Sequence, residues 1–97
     1  MNTYVILRRR GWTTAQDLEK AAGVSSRVGT QEMPDRVLWL RSYVTRETDG
    51  SLGTVCVYQA TDDASAREHA RRAGLPCDEI FPVVDTVVIH DDPLPAA

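Results

Sequence analysis

Two alternating stretches at the centre of the chain, RVLWLRSYVTRE (36–47) and TVCVYQA (54–60), are separated by TDGSLG. Asp49-Gly50 is a strong turn dipeptide, so the pair predicts a β-hairpin. Each side of this hairpin carries a segment of helical period, and beyond each lies one more strand-like run. TYVILRRR (3–10) stands at the front and IFPVVDTVVIH (80–90) at the back. That order, βαββαβ, leaves few ways to fold. Right-handed crossovers on both sides of a central hairpin give a four-stranded antiparallel sheet with both helices on one face. The expected class is therefore α+β, the ferredoxin-like plait. The name describes topology only, because the two cysteines fall short of the four ligands an iron–sulfur cluster needs.

The first helical segment spaces Ala15, Leu18, Ala22, Ser25 and Val28 along one face, with Thr13 as expected N-cap and Gln16 three residues on. Met33-Pro34-Asp35 closes it. The second, TDDASAREHARRAG (61–74), has acids at its start, Arg71 and Arg72 in its last turn and Gly74 at the C-terminal position. Ninety-seven residues suffice for one core, taken as residues 1–90, with DDPLPAA (91–97) as a flexible tail.

Strand alternation divides the sheet residues into two sets. The uniformly aliphatic set, Val5, Leu7, Leu38, Leu40, Val44, Val55 and Val57, is assigned to the helices. The other face then presents Tyr4, Ile6, Trp39, Arg41, Tyr43, Cys56 and Tyr58, an apolar area that needs cover. A second copy packing sheet on sheet would supply it, giving a homodimeric α+β barrel. A ligand pocket of Tyr4, Trp39, Arg41, Tyr43, Cys56 and Tyr58 can coexist with that dimer, with Arg41 holding an anion or pairing with the partner subunit. The opposite assignment of faces would bring Cys56 and His69 to one side and favour a softer ion.

Net charge of −3 argues against a general nucleic-acid binder, and no apolar run is long enough to span a membrane. Arg8-Arg9-Arg10 reads as a solvated strand end or an anion-binding corner. Cys56 and Cys77 lack framework spacing and read as free thiols, which with the lack of a secretory signal points to the cytoplasm. No nucleophile–base set or phosphate loop is present, so no catalytic residue is assigned. Among metal-capable side chains, His69 lies about 60° from the Ala66–Ala70–Ala73 stripe, while Glu68 falls roughly opposite the stripe. It reads either as a histidine bonded to a carbonyl, as a pH-sensitive contact, or as a metal ligand. In the last case Asp62, Asp63, Asp78 and Glu79 are the carboxylates that could join it. One imidazole with carboxylates and waters suits an octahedral divalent ion such as nickel. His90, beside Asp91 and Asp92, reads as a solvated end.

WLRSYVT, VCVYQA and REHARRAGLPCDEI, with the spaced set Trp39, Ser42, Tyr43, Cys56, Tyr58, Glu68, His69, Ala70, Gly74 and Pro76, resemble a family of small bacterial ferredoxin-like proteins described as nickel-responsive or nickel-binding. The resemblance runs from about Tyr4 to Val88. It implies a ferredoxin-like dimer and, in at least one branch, bound nickel, and adds no established catalytic activity. That branch has histidines where this chain has Leu75 and Phe81, neither of which ligates a metal. Three functional expectations follow. One is a non-enzymatic binder of a nickel-type divalent metal. Another is a small-molecule binder or cofactor-free enzyme using the open sheet face. The third is a structural or regulatory interaction domain.

Overall fold

The computed structural model describes residues 1–94, so the last three residues of the expected tail lie outside the described residues. Its elements are β1 (Asn2–Trp12), α1 (Ala15–Arg27), β2 (Val37–Arg46), β3 (Leu52–Ala60), α2 (Asp63–Ala73) and β4 (Glu79–Pro82). A π turn over Val28–Glu32 prolongs α1. The strands lie in the order β2-β3-β1-β4, every neighbouring pair antiparallel. This is the ferredoxin-like plait that the order of periodicities predicts.

The helix ends follow their caps. Thr14, one residue later than expected, accepts the Asp17 N–H at 3.1 Å and starts α1. Asp62 does the same for α2 through the Ser65 N–H, at 2.7 Å. Gly74 ends α2 with φ of 69°, a left-handed conformation that favours glycine. The Leu75 N–H then returns to the Ala70 carbonyl at 2.9 Å, a Schellman closure that fixes where Pro76 goes.

In β1, β3 and the first part of β2 the two faces of the sheet are the reverse of the sequence expectation, while Arg41, Tyr43 and Val44, beyond a bulge in β2, face as expected. Tyr4, Ile6, Cys56 and Tyr58 are buried under the helices, whereas Leu38 and Leu40 are exposed and Val5, Leu7, Val55 and Val57 are only half-buried. Val44 alone of the aliphatic set keeps the helix side, opposite Thr54. The cause is the size of the helix residues. α1 and α2 turn Ala22, Ser25, Ser65, Ala66 and Ala70 toward the sheet, and such short side chains leave room that only large sheet residues fill. The strict alternation of β2 also fails. The pairing with β3 shifts between Trp39 and Arg41, leaving Leu40 as the extra residue. Trp39 and Ser42, three positions apart, thereby come to the same side, while Arg41 and Tyr43 stay on the other.

The last strand is shorter than expected. Only Glu79–Pro82 pairs with β1, and Pro82 has no N–H to continue the ladder. The Val83 N–H still reaches the Thr3 carbonyl at 2.8 Å. The segment from Val83 to Asp92 then crosses the uncovered side of the sheet without regular structure, enclosing an open trough of about 710 Å³. No helix among the described residues is long and apolar enough to cross a membrane.

Candidate functional site

Three of the buried polar residues, Ser25, Tyr58 and His69, meet beneath the last turn of α1. β3 places Thr54, Cys56 and Tyr58 on the helix side at every second position. α2 contributes His69 and α1 contributes Ser25, while Ser65, one turn before His69, bonds Arg36 and Thr61 instead. The Tyr58 hydroxyl and the Ser25 hydroxyl are 2.9 Å apart. The Ser25 carbonyl, in turn, lies 3.0 Å from Nε2 of His69. A carbonyl only accepts, so Nε2 carries the proton and Nδ1 keeps its lone pair. That Nδ1 is buried and has no hydrogen-bond partner. Burial pulls the His69 pKa below its ordinary value, the Ser25 bond opposes this, and the nearby Arg8 charge adds to the lowering. The ring is therefore neutral near pH 7.

Tyr58 is the centre of the cluster. Its ring stacks on Trp39 with centroids 6.0 Å apart and tilts 52° against His69 at 5.2 Å. Burial raises its pKa, so the phenol stays protonated and keeps a hydrogen to share with Ser25. A second chain of bonds runs alongside: Trp39 Nε1 donates to Ser42 Oγ at 2.8 Å, Ser42 to Cys56 Sγ at 2.9 Å, and Cys56 to Thr54 Oγ1 at 3.3 Å. Two cavities adjoin the cluster and share Ser25, Trp39 and Tyr58. One of about 300 Å³ has His69 on its wall; the other, of about 260 Å³, has Arg8 and Cys56.

The sequence-derived metal set is not brought together. Asp62 lies seven residues before His69, about 10 Å along the helix axis, and caps α2. Asp63 faces Arg67, and Asp78 accepts the Arg9 backbone N–H at 2.7 Å. Glu79 is exposed on β4 opposite Leu7. Among the described residues no three of His, Cys, Asp and Glu are grouped to hold a metal ion. The expected ligand pocket is also divided. Tyr4, Trp39, Cys56 and Tyr58 lie on the helix side, whereas Arg41 and Tyr43 lie on the open side, where both bond to Asp92.

Ser25, Arg8 and Thr54 were not singled out from the sequence. Ser25 stood only as a place on a helix stripe. Arg8 stood inside a basic run read as a strand end, yet it falls in phase with Tyr4 and Ile6, and this period of two is the signal that places it inside.

The family model described as "Nickel responsive protein SCO4226-like" matches residues 4–83, which hold the whole sheet and both helices apart from the first two residues of β1. The chain belongs to this family. A solved member of this nickel-responsive group, "Crystal structure analysis of SCO4226 from Streptomyces coelicolor A3(2)", superposes with a TM-score of 0.68 at 17% sequence identity. The match covers 88% of this chain and 99% of that one. At that identity the likeness speaks for the fold. No curated protein matches the chain. As a test of fit for a nickel-type ion, the cluster offers, among the described residues, one unengaged donor, Nδ1 of His69, and no carboxylate beside it.

Proposed function

We propose that the protein is a small, non-enzymatic binder of a nickel-type divalent ion, with the His69 imidazole as its principal ligand. The observation that carries this reading is the orientation of the ring. A metal-ligating histidine characteristically donates its other N–H to a carbonyl or carboxylate, which fixes the tautomer and aims the free lone pair. His69 donates Nε2–H to the Ser25 carbonyl and leaves Nδ1 buried without a partner. Membership of a family described as nickel-responsive supports the choice of ion. Water would fill the further positions, since Asp62, Asp63, Asp78 and Glu79 are not gathered around the ring. An octahedral divalent ion keeps several waters readily, so one imidazole is a workable start.

Two further parts belong to this reading. Copies of the chain pair through the uncovered side of the sheet, because Leu40, Tyr43, Val87, Val88 and Ile89 leave a broad apolar surface there. The two free thiols suit a reducing, cytoplasmic setting. The pocket reading on the open face is weaker, since its one cation, Arg41, is already paired with Asp92.

Isothermal titration of metal-stripped protein with Ni²⁺, Zn²⁺ and Cu²⁺ tests the proposal, with His69→Gln beside the wild type. Glutamine keeps a donor for the Ser25 carbonyl but lacks the imidazole. Micromolar nickel binding that the variant loses is the expected result. Millimolar binding, or binding that the variant retains, would end the metal reading.

A further inference from the structure

Arg8 is the least expected residue in the interior. It projects from β1 to the helix side and is only 1% exposed, although a guanidinium is charged at any accessible pH. Nη1 donates to the Pro76 carbonyl at 2.6 Å, and Cζ lies 5.8 Å from the centre of the Tyr58 ring. Nη2 is buried with no hydrogen-bond partner among the described residues. The ion pairs among the described residues involve its neighbours Arg9 and Arg10, which reach Glu47 and Asp49, but not Arg8. A buried charge normally has a counter-charge, because a carbonyl and an aromatic face offset only part of its lost hydration.

The cavity beside Arg8 shows what kind of counter-charge fits. It holds about 260 Å³, and no acidic residue lines it. Its lining is largely apolar, with Trp12, Leu18, Trp39 and Leu75, and Thr54 and Ser42 add two hydroxyl-bearing residues. A bare inorganic ion would leave the apolar walls unused. A neutral apolar molecule would leave Nη2 unpaired. A planar carboxylate matches the guanidinium fork, and an apolar body attached to it matches the walls.

We propose that the cavity between α1 and the sheet binds a small organic carboxylate, its acid group on Arg8 and its apolar body against Trp12, Trp39 and Leu18. This site is separate from the metal reading, which rests on His69, a residue that does not line this cavity. The carboxylate test is run on metal-free protein, so neither outcome depends on the other proposal.

Benzoate is the probe and benzamide its neutral counterpart of the same shape. Trp12 and Trp39 report binding through their fluorescence, and calorimetry gives the affinity. Benzoate is expected to saturate the signal and to bind at least about tenfold more tightly than benzamide, as a charge-assisted bond requires. Two variants separate binding from folding. Arg8→Gln removes the charge and should bring benzoate to the level of benzamide. Leu18→Trp leaves Arg8 in place but fills the cavity from its half-exposed wall, and should weaken benzoate by about tenfold or more. The benzoate–benzamide comparison on the wild type stands even if Arg8→Gln does not fold. Equal affinities, no saturation with either probe, or unchanged benzoate binding in Leu18→Trp would overturn the proposal. Displacement of benzoate by inorganic phosphate at equal concentration would also overturn it, since the apolar walls would then contribute nothing.

Discussion

The two sides of the sheet differ in what they bury. The helix side holds Arg8, Ser25, Ser65, His69, Thr54 and Tyr58 among its apolar residues, and nearly every polar atom there has a partner. The open side is more aliphatic, with Val5, Leu7, Val55 and Val57, yet it is covered only by an irregular segment whose Val84, Val87, Val88 and Ile89 stay at least 71% exposed. The more hydrophobic face is thus the less buried one. Burial is decided by fit to the helices, which here carry alanine and serine, rather than by the hydropathy of the strand residues alone.

The largest contrast should appear in stability. Truncating Tyr58→Ala removes a buried ring that stacks on Trp39, tilts on His69 and bonds Ser25, and should cost about 3–5 kcal/mol. Tyr43→Ala on the open side removes a half-exposed ring bonded to Asp92 and should cost less than about 1 kcal/mol. Urea denaturation of both variants measures the difference. Similar costs would mean that the open side is buried in solution as deeply as the helix side.

A middle-sized effect is expected in self-association. If copies meet through the open side, Leu40→Lys places a charge at the centre of the contact while leaving the monomer core untouched. Sedimentation should then show the dimer dissociation constant rising by about tenfold or more. A wild type that stays monomeric at every concentration examined would mean instead that the segment from Val83 to Asp92 is the only cover this face has.

The same contrast explains how much could be read from the sequence. Element order was legible because periodicity changes sharply between strand and helix, and Asp49-Gly50 and Gly74 mark their turns unambiguously. The facing of each strand was not. Alternation assigns residues to two sets without saying which set lies inside, and a one-residue bulge at Leu40 splits β2 between them. The stripe of Ala66, Ala70 and Ser25 held the missing information, since small helix residues call for large sheet residues opposite. His69 is legible as a metal-capable side chain on a helix shoulder, but its partner Ser25 is 44 positions away and carries no motif. Arg8 was hidden by its neighbours: of three consecutive arginines, only the one in phase with Tyr4 and Ile6 turns inward.

The smallest effect expected on the helix side is a dependence of stability on pH. Burial lowers the His69 pKa in the folded chain, whereas the unfolded chain titrates near the ordinary value of about 6.5. Above that pH the ring is neutral in both states and the full stability is present. Below it, the unfolded chain binds a proton that the folded ring resists, so stability falls as pH falls toward the lowered folded value. Carboxylates enter later. Glu68, held down to about 2 by Arg71 and Arg72, loses its contribution only below the ordinary glutamate value of 4.5. Asp49 and Asp62, lowered by their Ser51 and Ser65 bonds, do so below 3.8. The interval from about 6.5 to 5 therefore isolates the imidazole. Denaturation of metal-free protein across it should show a slope in the wild type that His69→Gln removes. An equal slope in both would place the titrating group elsewhere, and the His69 ring would no longer be a neutral, buried donor whose free lone pair a metal could take.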